Sequence, residues 1–154
     1  VIDQLALPAY QKIKGEVEFI KTARLRLALN GTYSHYKTNQ EHAWYKPSYE
    51  FEFNGRYDMQ SKIAVTLKAI VTGPVWAAVP VADPLSDGIG PQPYIFESQK
   101  LKGWADINLG LEYRFTKDLS AWLNFHNLTN SKYYRWNNYH SYGINVLGGV
   151  SYTF

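Results

Sequence analysis

The chain has 154 residues, a net charge of +3 and no cysteine, which leaves one domain as the default and excludes disulfides and thiol chemistry. It is 16% aromatic, with 13 Tyr, 7 Phe and 5 Trp, yet its mean hydropathy is only −0.36. Charges of both signs are interspersed without the Lys/Arg cluster of a nucleic-acid footprint, and the apolar stretch Val75 to Ala82, broken by Pro80, is far short of the ~20 residues a membrane helix needs.

Along the chain the recurring signal is alternation with a period of two, the pattern of strands with one apolar face. Ile13, Gly15, Val17 and Phe19 oppose Lys12, Lys14, Glu16 and Glu18, and a tight turn is expected at Ile20-Lys21-Thr22. Leu25, Leu27, Leu29, Gly31 and Tyr33 then oppose Arg24, Arg26, Asn30, Thr32 and Ser34. After a long link from about Tyr36 to Ser48, Tyr49, Phe51, Phe53, Gly55 and Tyr57 oppose Glu50, Glu52, Asn54, Arg56 and Asp58. A turn at Met59-Gln60-Ser61 leads into Ile63, Val65, Leu67, Ala69 and Val71 against Lys62, Thr66, Lys68 and Thr72, with Ile70 out of pattern. The link from Gly73 to Gln99 carries five prolines and reads as irregular, a lid or a disordered loop.

The clearest run follows, from Trp104 to Phe115, with Ala105, Ile107, Leu109, Leu111 and Tyr113 on one face and Asp106, Asn108, Glu112 and Arg114 on the other. Past a turn at Thr116-Lys117-Asp118, Leu119, Ala121, Leu123 and Phe125 oppose Ser120, Trp122, Asn124 and His126. A third long link, Asn127 to Ser141, precedes the final strand, in which Tyr142, Ile144, Val146, Val150, Tyr152 and Phe154 share a face and Leu147 breaks the rule. This predicts an all-β chain of about seven antiparallel strands over residues 1–154, with short and long connections in alternation.

Short turns on one rim and long loops on the other characterise outer-membrane barrels, with periplasmic turns and extracellular loops respectively. By that rule Phe154 lies at the periplasmic rim and the first strand descends from outside. Phe19, Tyr57, Tyr113, Phe115, Tyr152 and Phe154 sit at the short-turn rim, and Tyr33, Tyr49 and Tyr142 at the long-loop rim. At ~3.3 Å per residue and a tilt near 45°, the Tyr49/Tyr57 and Tyr142/Tyr152 spacings give roughly 19–24 Å, close to the ~25 Å band between aromatic girdles. The charged face is excluded from lipid and is expected to line a wet or protein-filled lumen. There the turns suggest charge pairs Glu18 with Arg24, Glu16 with Arg26, and Glu52 with Lys68.

The last fifty residues carry a more specific pattern. The run Ala105-Asp106-Ile107-Asn108-Leu109-Gly110-Leu111-Glu112-Tyr113-Arg114-Phe115 is followed by Leu119-Ser120-Ala121-Trp122-Leu123-Asn124-Phe125-His126-Asn127-Leu128-Thr129-Asn130, then Tyr133-Tyr134, Trp136 and the terminal Gly149-Val150-Ser151-Tyr152-Thr153-Phe154. This resembles the C-terminal end of TonB-dependent outer-membrane receptors. The resemblance implies a barrel of about 22 strands around an N-terminal plug. It also implies import of a scarce nutrient, such as an iron chelate, cobalamin or a glycan, on energy passed from TonB through the plug. Tyr152 and Phe154 resemble the C-terminal signal read by the barrel-assembly machinery of Gram-negative bacteria.

On that reading the partners are outer-membrane lipid, the assembly machinery, the rest of the barrel, the plug and TonB. The chain, which opens on Val1 without a leader pattern, reads as processed or as a fragment: about the last third of a barrel, without the plug. An odd strand count agrees, because bacterial single-chain barrels close with even numbers. The alternatives are a stand-alone small barrel with a structural or adhesion role and, further off, an outer-membrane enzyme. No nucleophile elbow, phosphate-binding glycine loop or HExxH motif is present, so no catalytic residue, cofactor or metal is expected. His35, His42, His126 and His140 are scattered and read as polar surface rather than ligands. Trp44, Tyr45, Trp76, Tyr133, Tyr134, Trp136 and Tyr139 concentrate in the long links and are the candidate ligand contacts, with an interfacial girdle as the competing explanation.

Overall fold

The computed structural model describes residues 9–22, 24–38, 41–82, 94–136 and 139–154, with backbone alone at 9, 94, 134–136, 139 and 140. The strands are β1 (Ala9–Thr22), β2 (Leu25–Lys37), β3 (Tyr49–Met59), β4 (Ile63–Thr72), β5 (Val75–Ala82), β6 (Tyr94–Leu101), β7 (Trp104–Arg114), β8 (Leu119–His126), β9 (Tyr134–Trp136), β10 (Tyr139–His140) and β11 (Asn145–Tyr152). Seven form one antiparallel sheet in the order β1-β2-β3-β4-β7-β8-β11; β5-β6 and β9-β10 are separate hairpins. Among the described residues nothing pairs with the outer edge of β1 or of β11.

Register follows the apolar pattern, because a slip of one residue would turn every side chain to the wrong face. One rung runs through Phe19, Leu27, Gly55, Leu67, Leu109, Phe125 and Val146, apolar across all seven strands. The next rung, of opposite orientation, runs through Ile20, Arg26, Arg56, Thr66, Gly110, Asn124 and Leu147 and is mostly polar.

Among the described residues no hydrophobic core forms on either face. Among the described residues the buried hydrophobic side chains are Ala64 and Ala77, while Val17 (67% exposed), Phe51 (47%) and Val150 (70%) stand out from the apolar face with Leu29, Leu111 and Leu123. A soluble sheet covers such a face with a second layer. Here the face is continuous over seven strands and uncovered, which is the condition of a sheet solvated by hydrocarbon.

Three expectations are corrected. β1 runs on to Thr22, so the chain reverses between Thr22 and Leu25 instead of at Ile20-Lys21-Thr22. Glu18 therefore stands opposite Ala28 and Glu16 opposite Asn30, not opposite Arg24 and Arg26. The second turn is centred one residue later, on Gln60-Ser61-Lys62. Consecutive left-handed residues at Gln60 and Ser61 (φ 48° and 59°) and a Lys62 N–H to Met59 carbonyl bond of 3.0 Å make it a mirror-image turn that suits the strand twist. Lys68 then opposes Asn54 rather than Glu52, although its ammonium still reaches Glu52 diagonally.

The third correction concerns the Gly73-to-Gln99 link, which contains the regular hairpin β5-β6, paired from Val75↔Leu101 to Ala82↔Tyr94. Pro80 disguised it. In a two-stranded ribbon each strand is an edge, where a missing N–H is tolerated. Residues 83–93, which carry Pro84, Pro91 and Pro93, lie outside the described residues. The last long link likewise holds the short pair β9-β10.

Candidate functional site

Side chains that can meet a ligand gather where the polar face passes under the long links. The first structural element there is a knot at Asn127, which ends β8 in a left-handed conformation (φ 52°) and is 3% exposed. Its amide Nδ2 donates to the carbonyls of Ser131 (3.1 Å) and Tyr142 (2.8 Å). Its Oδ1 accepts from the Ser131 N–H and the Thr129 hydroxyl, both at 3.0 Å. The Asn127 N–H and the His126 Nδ1 both meet Asn108 Oδ1 on β7, at 3.2 and 3.1 Å. The Ser131 hydroxyl donates to the Ala105 carbonyl at 2.6 Å, and Thr129 Oγ1, which has one proton to share between Asn127 Oδ1 and that carbonyl, lies 2.7 Å from it. The near end of the last long link is thus tied to the top of β7, and its far end is tied to the near end through Asn127 and Ser131.

From that anchor Tyr133 is laid flat on Trp104, with ring centroids 3.8 Å apart and planes 8° from parallel, and its hydroxyl donates to Asp106 Oδ2 at 3.2 Å. A second aromatic group joins the first long link to β5. His42 stacks on Trp76 at 3.8 Å and meets Trp44 edge-on at 5.6 Å. Tyr45, itself left-handed, bonds through its N–H to the Trp76 carbonyl (2.7 Å) and through its hydroxyl to the Ala78 carbonyl (3.2 Å). Lys100 lies over the Trp76 ring at 5.7 Å.

Between the two groups is a cavity of about 510 Å³ lined by Tyr45, Pro47, Glu50, Glu52, Ile70, Thr72, Gly73, Val75, Lys102 and Trp104. Its volume lies within the ~300–1,000 Å³ span of small-molecule sites. Ile70, out of pattern in the sequence, is part of its floor. Glu52 is met by Asn54 Nδ2 at 2.7 Å and Lys68 Nζ at 3.2 Å.

Nearer the short turns the polar face carries a linked ion-pair chain. Arg56 holds Asp58 through Nε (3.0 Å) and Nη2 (3.1 Å), and Arg114 bonds Glu112 at 3.0 Å while reaching Asp58 at 3.5 Å. Asp58 and Glu112 flank Ala64 on the same rung, and that small buried residue leaves room for Arg114 to reach across β4. Arg26 stands directly beside Arg56.

Of the sequence candidates, the structure brings Trp44, Tyr45 and Trp76 into one group and sets Tyr133 in the other. The side chains of Tyr134, Trp136 and Tyr139 lie outside the described residues. Trp76 and Tyr133 are engaged with neighbouring side chains, so part of their role is to hold the loops. Among the described residues no ion pair joins Glu16 or Glu18 to an arginine. Tyr152 and Phe154 form a tilted ring pair at 6.2 Å on the exposed edge strand. Sequence reading passed over Glu50, Thr72, Lys102, Trp104 and Asp106 as parts of a site. Their alternation put four of them on the polar face, but only register shows that they meet. Among the described residues no cluster of His, Asp or Glu is arranged to hold a metal ion.

No protein-family model and no curated protein sequence matches the chain. Solved structures do. The ferripyoverdine receptor of the outer membrane of Pseudomonas aeruginosa, bound to ferripyoverdine, superposes with a TM-score of 0.75 at 16% identity, over 93% of this chain and 19% of that one. The siderophore receptor PirA from Acinetobacter baumannii gives 0.72 at 16% identity over 96% and 22%. The ferric-catecholate import receptor Fiu from K12 E. coli gives 0.68 at 16% over 96% and 21%. The likeness is one of fold: the chain has the architecture of a stretch of outer-membrane receptor barrel and spans about a fifth of the length of these receptors.

Proposed function

We propose that the chain is a seven-strand section of the barrel wall of a TonB-dependent outer-membrane receptor, whose long links form part of the extracellular rim that admits an iron chelate. The observation that carries this reading is that, among the described residues, the apolar face is uncovered and the two edges of the sheet are unpaired. The face requires lipid and the edges require further strands. A closed small barrel would pair β1 with β11, and among the described residues the sheet does not. The receptor likeness of the fold and the Asn127 knot, at the Asn-Leu-Thr-Asn segment that suggested the family, point the same way.

In this role the apolar face meets outer-membrane lipid and the polar face looks into the lumen toward a plug, through which TonB supplies energy. The Arg56–Asp58–Arg114–Glu112 chain and the Glu52–Lys68 pair stiffen the inner wall. Tyr152 and Phe154 present the assembly signal to the barrel-assembly machinery. Trp44, Tyr45, Trp76 and Tyr133 shape the rim above the cargo, and no step of bond-making chemistry is assigned to the chain.

The test uses the complete outer-membrane protein in whole cells. Cysteines placed at Lys46 and at Lys117 should be labelled by an impermeant maleimide from outside and only after permeabilisation, respectively. Uptake of radioactive ferric chelates should require TonB. Labelling of Lys117→Cys from outside, or uptake indifferent to loss of TonB across hydroxamate and catecholate chelates, would overturn the assignment.

A further inference from the structure

Four of the chain's five arginines, Arg24, Arg26, Arg56 and Arg114, gather at the short-turn end of the sheet. Arg56 and Arg114 are committed to Asp58 and Glu112. Arg24 and Arg26 have no ion pair and no side-chain hydrogen bond among the described residues. Arg26 stands directly opposite Arg56 across the β2–β3 ladder, and like charges so placed destabilise a sheet. Glu18, a spare carboxylate on the next polar rung, stands opposite Ala28 and makes no ion pair with Arg26.

Arg26 and Arg56 line one open cavity of about 380 Å³, with Lys68 as a third cation. Among the described residues its other polar lining is Asn54 and Thr66, and no carboxylate contributes. The cations are within reach of a partner: Arg26 is exposed, and the side chains of Arg56 and Lys68 keep 42% and 46% of their surface. Arg26 has all its donors uncommitted, and Arg56 keeps Nη1 free after binding Asp58 through Nε and Nη2. A guanidinium offers donors alone, in a planar fork that matches a carboxylate. Water hydrates one arginine but does not offset the repulsion of two set face to face. An anion does both.

Position says where the anion comes from. Arg56 is three residues from the end of β3, about 10 Å along the strand from the short turns, and seven residues from Tyr49 at the long-link end. On the receptor reading cargo enters at the long links, so this end of the polar face meets protein that fills the lumen. We propose that Arg26 and Arg56 form a clamp for a carboxylate side chain of the lumen-filling domain, with Lys68 at its margin. The inference rests on the receptor reading above and deepens it by naming the chemistry of that contact. The clamp holds an acidic residue of the domain against β2 and β3, and the wall is relieved of a like-charge pair while the domain is in place.

The test is zero-length carbodiimide coupling within the complete protein in detergent micelles, read by peptide mass spectrometry. Folding is checked by heat-modifiable gel mobility. Arg26→Lys keeps the charge and supplies an amine, and the native Lys68–Glu52 pair, 3.2 Å apart, gauges the coupling in each sample. The amine at position 26 should link to an Asp or Glu of the lumen-filling domain. The link should be about tenfold stronger than from Asn124→Lys, on the same rung but outside the cavity, the margin of a charge-assisted bond. Equal links from the two variants overturn the inference, as does coupling only to Glu18 or Asp58 of this wall. Coupling to an added carboxylate-bearing ferric chelate and not to the domain makes the occupant cargo, and overturns it too. TonB-dependent uptake is measured separately. Uptake that needs TonB without the link sinks this inference alone; the link without TonB-dependent uptake leaves the clamp standing and sinks the receptor reading.

Discussion

Asn127 shows how much one side chain does at the loop base. It takes a backbone conformation that asparagine tolerates better than most residues, and its amide spends both donors and its acceptor on the two ends of one loop. Asn127→Ala removes the partners of the Tyr142 carbonyl and the Ser131 N–H and leaves the Ser131 carbonyl to the Ser141 hydroxyl alone, at about 0.5–1.5 kcal/mol for each bond lost. The expected outcome is local. Amide exchange at Ser131 and through residues 128–133 should accelerate by at least about tenfold, with exchange in β7 and β8 unchanged. Asn127→Gly keeps the backbone conformation and loses the bonds. Should it behave as wild type, the bonds are not what holds the loop.

At the scale of the strand, faces were legible in the sequence and register was not. Alternation is local: Trp104 to Arg114 announces its two sides to any reader of adjacent residues, and the structure puts each residue on the side expected. Register depends on where each turn is centred. Those centres fell on residues without the usual Asn-Gly marks, Gln60 and Ser61 in one case, so the predicted pairs slid by two to four residues. The candidate site was still less legible, because Thr72 and Trp104 become neighbours only through a ladder that resumes after the whole excursion from Gly73 to Gly103. No sequence spacing encodes that. The corrected register is open to a direct check in this cysteine-free chain. Glu18→Cys with Ala28→Cys places the pair directly opposite and should oxidise to a disulfide, seen as a mobility shift on a non-reducing gel. Glu18→Cys with Arg24→Cys should stay reduced.

For the molecule as a whole, the absence of a core among the described residues sets the energetics. Among the described residues the apolar face has no second protein layer, so on the barrel-wall reading proposed above its burial comes from lipid, and a charge placed there meets hydrocarbon. Leu29→Arg should cost roughly 2–4 kcal/mol if its depth is near the midplane, and should lower the fraction showing heat-modifiable mobility. Ala28→Arg, one residue away on the polar face and opposite Glu18, should leave that fraction near wild type. Equal effects would mean the two faces are not divided between lipid and lumen. Phe154 belongs to this scale as well. Its fully exposed ring is worth about 1.5–3 kcal/mol once buried in the interface, which a large barrel survives. Deleting it from the complete protein should therefore reduce the amount inserted into the outer membrane more than the stability of barrels already inserted. Equal surface levels by protease shaving would remove the assembly role.

The excursion that carries β5 and β6 leaves the wall at Thr72 and rejoins it at Trp104, and these two residues share a rung. Entry and exit are side by side, so the ladder between β4 and β7 has the same geometry whatever is inserted between them. The hairpin is in effect a cassette: replacing it would leave the pairing of β4 with β7 in place, so on the receptor reading proposed above its loops could change with the cargo without reopening the problem of folding. Thr72 and Trp104 are the fixed sockets of that exchange. On that reading a change of cargo would be met in the insert, against a ladder whose register does not depend on it.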